Sequence, residues 1–514
     1  MEPITLDKPL THRQVLLVFS GLMLGMLLAA LDHTILATAL PDIVGDLGGL
    51  EHLSWVVTSY LLATTVSTPL YGKLGDLYGR KRLFQYAIVI FLVGSVLCGM
   101  AQSMGQLIAF RAVQGLGSGG LMVLAQAVVG DIVAPRERGR YQGYFVAVFG
   151  VSSVIGPLVG GFLTDQASWR WVFYVNLPVG IVALVVTSVV LPVGTRRPDA
   201  RLDIRGAVLL SSGVTALVLL TTWAGTEHEW GSPIIVALGL ASVGLLLAFV
   251  AAERRAEEPL LPLRLFRNRT FSVTSSVSLV IGFAMFGALS FLPLFLQLVT
   301  NASATNSGLL LLPLMGGLLL ASTVSGQIVS RTGRYKAIPM IGTMVATVGM
   351  ALLATMGAET PRLVSAAYMA LLGVGMGLVM QVLIVATQNA VPQPDLGVAT
   401  ASVNFFRSIG GSIGVAVFGA LFAGRFANAL PDNPLRGHLS IDAVNALPST
   451  MRTQVVSAAD AALSTVFLCA VPLLALAFGL TWLVREIPLR GAAARVDHER
   501  EVTAALPLPE MSTH

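Results

Sequence analysis

The feature that most constrains this chain is a succession of long apolar runs. Fourteen of them occupy residues 15–40, 53–71, 83–101, 107–130, 141–163, 171–191, 206–223, 232–251, 271–299, 307–329, 337–356, 363–390, 400–423 and 461–484. A membrane-crossing helix needs about 20 such residues. Lipid offers no partner to backbone N–H and C=O groups, so only helices and closed barrels cross it. The runs are too long and too continuously apolar for barrel strands of about 10 alternating residues. The expected fold class is an all-α integral membrane protein. Only 11% of the 514 residues are charged and 55% are hydrophobic. A soluble chain carries about 25% charged residues, so no sizeable soluble domain is left over. Residues 1–14 show no cleavage-site pattern ahead of the first run, and the first helix is expected to be retained.

The net charge of +5 raises the question of a nucleic-acid partner, but the placement of the charges answers it. With the N-terminus in the cytoplasm, Lys8, Arg13, Lys73, Arg80, Lys81, Arg82, Arg136, Arg138 and Arg140 fall inside. So do Arg196, Arg197, Arg201, Arg205, Arg254, Arg255, Arg264, Arg267, Arg269, Arg331, Arg334, Lys336, Arg485, Arg490, Arg495 and Arg500. Outside are only Arg170, Arg362, Arg425, Arg436 and Arg452. This is the positive-inside rule; it places both termini in the cytoplasm and needs no nucleic acid. Lys is confined to positions 8, 73, 81 and 336 amid abundant Arg, the usage of a GC-rich bacterial source. Cys98 and Cys469 lie in separate apolar runs and suggest neither disulfide nor metal. The histidines form no metal spacing, and HExxH and GxxxxGK[ST] are absent. A membrane enzyme and an ATP-driven pump are both disfavoured, and no metal or cofactor is expected.

Within the runs one carboxylate stands out. Asp32 lies about 17 residues into the first run, roughly 26 Å above its start. A charge at bilayer depth costs about 2.5–3.5 kcal/mol even on the lenient insertion scale, so it is expected where it has a task or a partner. Arg111 lies about four to six residues from the outer end of an oppositely directed run, at similar depth. Burial and a nearby guanidinium act on a carboxyl in opposite directions, and Asp32 with Arg111 is the expected proton-coupling pair. Snorkelling of Arg111 to the headgroups is the competing reading. His33 points about 100° away from Asp32, towards packing or lipid.

A repeat is also present. Residues 71–82 follow the second run and residues 325–336 follow the second of the last six. Two six-span halves separated by two additional spans make a 6+2+6 plan, and internal repeats are common in secondary transporters. The expected division is 1–193 for the first bundle, 194–269 for a linker with two spans, 270–484 for the second bundle and 485–514 for a cytoplasmic tail.

The segment holding Gly72, Gly75, Asp76, Gly79 and Arg80 resembles the signature loop of the major facilitator superfamily. LDHTILATALP at 31–41 resembles the first-helix motif of its fourteen-helix drug:proton antiporters, the QacA/EmrB type. IAFRAVQGLG at 108–117 is similar to their fourth-helix motif, and VIGPLVGG at 154–161 to the fifth-helix motif associated with exporters. WRWVFYVNLP at 169–178 fits the same branch. The resemblance implies that helices one and four line a central cavity. It also implies that Asp76, Arg80 and the partner Asp131 latch the outward-facing state. Gly150, Gly156, Pro157, Gly160 and Gly161 then give a kinked, small-residue helix suited to sliding.

Trp55, Tyr60, Gln114, Phe286, Gln381, Gln388 and Asn404 are candidates for a mixed polar and apolar cavity lining. Arg407 lies about seven residues in from the cytoplasm, within snorkelling reach. The runs 206–223 and 232–251 carry no charge and read as peripheral. Residues from Ser449 suggest a short surface helix before the last span. Between 271 and 423 the only acids are Glu359 and Asp395, both in loops, which argues against efficient export of doubly charged cations. The expected function is proton-coupled export of amphipathic small molecules from the bacterial cytoplasmic membrane by a monomer, with the proton gradient as energy source. Export of an endogenous product such as an antibiotic, siderophore or lipid is the alternative.

Overall fold

The computed structural model describes residues 12–48, 52–191, 202–225, 227–300, 308–429, 444 and 447–489. Lys8, Arg196, Arg197, Arg201, Arg436 and the tail from 490 onward lie outside the described residues, as does most of the loop between the last two runs.

The described chain is helical, with no strand and one isolated bridge, between Ala224 and His228. The first helices are α1 His12–Leu47, α2 Leu53–Tyr78, α3 Arg80–Met100, α4 Met104–Ile132, α5 Arg138–Gln166, α6 Trp171–Tyr174 and α7 Asn176–Val190. Next come α8 Ile204–Trp223 and α9 Pro233–Glu253. The remainder are α10 Arg269–Leu289, α11 Leu292–Leu298, α12 Leu312–Thr332, α13 Ala337–Leu353, α14 Arg362–Ala390, α15 Leu396–Ala429 and α16 Ser449–Thr481. Among the described residues, twelve helical stretches are long and apolar enough to cross a membrane. The other two apolar runs are helical too, as the hydroxyl-rich α2 and the 17-residue α13.

Three local expectations are corrected. The turn expected over 72–82 shrinks to one residue, because α2 runs to Tyr78 and α3 starts at Arg80. Gly79 makes that reversal at φ +91° and Gly333 closes α12 at φ +69°, so both halves place a positive-φ glycine here, while the turn that follows is longer in the second half. Such angles are strained for any residue with a Cβ. The sixth run is interrupted: a new helix starts at Asn176, with Pro178 in its first turn, where a missing N–H is harmless. The surface helix expected at 449 does not stand alone. The Ala-rich stretch after Ser449 contains neither Gly nor Pro before Pro472, so it continues as one 33-residue helix.

Helices α1–α7 pack among themselves, chiefly α2 and α3 on α4 and α1 on α5 and α7. Helices α10–α16 do likewise, with α10 on α15, α12 and α13 on α14, and α16 on α13 and α10. Lipid tails are as apolar as the side chains, so close approach and hydrogen bonds drive this packing. A Cβ on Gly117 would lie 2.5 Å from the Phe91 backbone nitrogen, and α3 and α4 touch there through their backbones. Apolar side chains such as Leu158, Phe162, Leu240, Leu247 and Leu320 cover the outside.

The two sets meet along two seams, α5 on α12 and α2 on α15, with α4 also against α15. Close contacts on these seams, Gly139 with Gly326 and Gly72 with Gly397 and Ala401, lie towards the end carrying Gly79 and Gly333. Lys73, Arg80, Arg136 and Arg264 gather at that end, hereafter the basic face, and it is closed. The runs expected to be peripheral divide. Helix α9 is mostly exposed, whereas α8 packs on α2 and α15 as well as on α9.

Candidate functional site

Asp32 is 2% exposed and Arg111 1%. Helix α1 presents the carboxylate to α4, and Arg111 Nη1 donates to Asp32 Oδ2 at 2.6 Å. Gln114, one turn further along α4, donates from Nε2 to Asp32 Oδ1 at 2.7 Å and accepts from Arg111 Nη1 at 2.6 Å. Asn176, at the start of α7, donates to the same Oδ1 at 3.0 Å and to Ser95 Oγ at 2.9 Å. Arg111 Nε reaches the Val56 carbonyl, and its guanidinium lies 4.1 Å from the centre of the Tyr60 ring. Tyr60 donates to Ser118 Oγ at 2.6 Å. Arg111 therefore does not snorkel. Five helices converge on one buried ion pair. An ionised carboxylate offers about four acceptor sites, and three donors fill most of them here. His33 is exposed and stays out of the cluster.

A second cluster closes the basic face. Arg80 pairs with Asp131 at 2.6 Å and Asp76 at 2.8 Å, and donates to the Ala127 carbonyl. Asp76 also accepts from the backbone N–H groups of Gly397 and Val398 at 3.0 and 2.9 Å. These are unpaired donors at the start of α15, where a carboxylate is favoured by the helix dipole. Gly72 and Gly75 act through contact: a Cβ would lie 2.4 Å from Ala401 Cβ and 2.7 Å from Leu124 Cδ2 respectively. Lys73 pairs with Glu258 and Arg264 with Asp395, at 2.7 and 2.8 Å. The residues between α9 and α10 are thereby joined to both sides of the seam.

On α5, Pro157 sits inside a continuous helix. Gly156 and Gly160 meet Thr34 and Thr38 of α1, and Gly150 meets Leu319 of α12. Gly161 is the exception, with open space around an added Cβ. The candidate lining residues separate. Tyr60 and Gln114 belong to the Asp32 cluster. Gln388 and Asn404 lie at the α4–α15 seam, donating to the Gln126 carbonyl at 3.1 Å and to Gln126 Oε1 at 2.7 Å. Gln381 is buried with its Oε1 unpartnered. Trp55 packs against Trp223 of α8, and Phe286 is 41% exposed beside Gly411.

The chain matches the Major Facilitator Superfamily over residues 22–415. It belongs to that superfamily. An uncharacterised major-facilitator-type transporter of Mycobacterium tuberculosis is 45% identical over 479 residues, 92% of this chain and 70% of the relative. The multidrug transporter protein MdtP of Bacillus subtilis is 41% identical over 417 residues, 81% of this chain and 77% of that one. The proton:xylose symporter XylE shares the fold, with a TM-score of 0.62 at 14% identity over 92% of this chain and 96% of that one. The superfamily consists of membrane transporters rather than enzymes.

In this transporter three contributors are absent from the residue set drawn from sequence. Ser95 and Asn176 complete the Asp32 cluster, and Gln126 bridges the seam. Asn176 stands in the quoted WRWVFYVNLP stretch, and its place ahead of Pro178 at a helix start was its available signal. Asp460, which directly precedes the last apolar run, is taken into α16. It lies beside Gly357, at the end remote from the basic face.

Proposed function

We propose that this transporter is a proton-coupled exporter of amphipathic small molecules, a multidrug antiporter of the fourteen-span 6+2+6 branch. It would reside in a bacterial cytoplasmic membrane with the basic face and both termini in the cytoplasm. The observation that carries this reading is the fully buried Asp32 carboxylate, held by Arg111, Gln114 and Asn176 inside the first bundle. It is the group we assign to carry the coupling proton. The closed basic face supports an outward-facing conformation, with Asp76, Arg80 and Asp131 as the latch that must open for substrate to enter. The two helices that bring twelve candidate spans to fourteen, α2 and α13, pack within the same two bundles, and α8 and α9 supply the additional pair. The name carried by MdtP supports drug-like substrates.

The test uses inverted membrane vesicles with an acidic lumen and a pH-sensitive dye. Adding N-phenyl-1-naphthylamine, a neutral amphiphile, should dissipate the pH difference only when the transporter is present. No dissipation across a panel of amphiphiles would refute proton-coupled export.

A further inference from the structure

Arg407 is a buried cation without a counter-ion among the described residues. It lies in α15, 8% exposed, and its one hydrogen bond among the described residues is to Asn404 Oδ1. Among the described residues no carboxylate pairs with it. It sits about ten residues beyond Gly397, roughly 15 Å from the basic face and about halfway through a 30 Å core. Snorkelling is therefore not its solution. A Cβ on Gly282 would lie 2.1 Å from the Arg407 carbonyl oxygen, so α10 fixes the backbone here.

The surroundings are short of acceptors in the same sense. Asn404 passes the contact on to Gln126 of the other half at 2.7 Å, and Gln126 Nε2 is buried with no partner. A guanidinium carries five N–H donors, and here one bond is made. Most polar groups in a bilayer core are paired, because an unpaired one costs free energy. The mid-membrane charge sum makes the same point. Asp32 and Arg111 cancel, and Arg407 leaves +1. The remaining charged groups on the seam belong to the basic-face cluster.

We infer that Arg407, with Asn404 and Gln126, is the subsite for an acidic group, a carboxylate or sulfonate, on an amphipathic substrate. The inference rests on the proposed export function and specifies its substrate class. A planar guanidinium binds two oxygens of such a group side by side, and the Gln126 amide supplies a further donor from the opposite half. The subsite joins both halves, so an anion there is held differently as the seam opens. Export of a monoanion against one proton moves two charges in the same electrical sense, which couples it to membrane potential.

Two probes with one aromatic framework provide the test: neutral N-phenyl-1-naphthylamine and 8-anilinonaphthalene-1-sulfonate. Binding is read by fluorescence with the full chain in lipid nanodiscs, after subtracting empty discs. The wild type should bind the sulfonate at least tenfold more tightly than the neutral probe. Arg407→Gln should lower that ratio at least tenfold, and Arg407→Lys should lower it less, because the charge stays but the two-pronged geometry is lost. A wild type without preference overturns the inference, and this holds even if the Gln variant fails to fold. A ratio unchanged in Arg407→Gln also overturns it. A chain that dissipates a pH difference with the neutral probe but shows no sulfonate preference refutes this inference alone. One that binds sulfonate through Arg407 yet couples no probe to protons refutes the proposed function alone.

Discussion

Gln114 holds both members of the buried ion pair at once, donating to Asp32 at 2.7 Å and accepting from Arg111 at 2.6 Å. Gln114→Leu leaves a carboxylate oxygen and a guanidinium each short of one partner. Orphaned buried polar groups cost about 1–3 kcal/mol each. The variant should unfold at lower temperature than the wild type in detergent. Arg111→Leu should be worse, because breaking a buried pair from one side costs about 3–5 kcal/mol. Thermal melts of the purified variants give the order wild type, Gln114→Leu, Arg111→Leu.

Asp76 bridges the halves by capping α15, so Asp76→Asn should loosen the basic face. Ser322 lies at the α5–α12 seam, 1% exposed with its hydroxyl unpartnered, and Ser322→Cys is nearly isosteric. In a background lacking Cys98 and Cys469, an impermeant maleimide offered from the basic face should label Cys at 322 at least threefold faster when Asp76→Asn is added. Equal rates would remove the latch role.

Much of this architecture was legible because bilayer physics writes it in plain composition. The apolar runs became helices, and Asp32 and Arg111 drew notice because charges are rare in such runs. What stayed hidden depends on partners distant in sequence. Asp76 is capped onto Gly397 and Val398 across 321 and 322 positions, and nothing local to 72–82 points there. Asn176 and Ser95 are ordinary polar residues until the fold aims them at one carboxylate. Depth alone puts Arg407 within snorkelling reach, and only the packing on α10 and α4 shows it enclosed. Gly72 and Gly75 looked like turn formers, yet they are helical positions where another helix comes too close for a side chain.

At the end remote from the basic face, Arg170 and Trp169 donate to Asp46 at 2.7 and 2.9 Å. Arg170 first and Trp169 second hold the Asp46 carboxyl below its ordinary range. A depressed carboxyl stabilises the fold above the unfolded-state value, and that contribution is lost as pH falls through the folded-state value. Acidification below the ordinary carboxylate range should therefore release the α1 end from Trp169, as a change in tryptophan emission. Asp46→Asn should abolish that transition while leaving the emission constant across the same range.

Orientation is checked by reporter fusions in described loops. A fusion after Arg255 should report the cytoplasm and one after Glu359 the exterior. Both on one side would refute the fourteen-span plan.

The central claim is that Asp32 carries the coupling proton. A potential of 100 mV supplies about 2.3 kcal/mol per charge, and one pH unit adds about 1.4 kcal/mol. One proton can thus sustain roughly a 500-fold gradient of a neutral substrate. The direct measurement is substrate accumulation in proteoliposomes under an imposed pH gradient, comparing wild type with Asp32→Asn, which mimics the protonated acid. The account predicts uphill transport by the wild type, none by Asp32→Asn, and partial recovery in Asp32→Glu. Uphill transport by Asp32→Asn at the wild-type rate would contradict it.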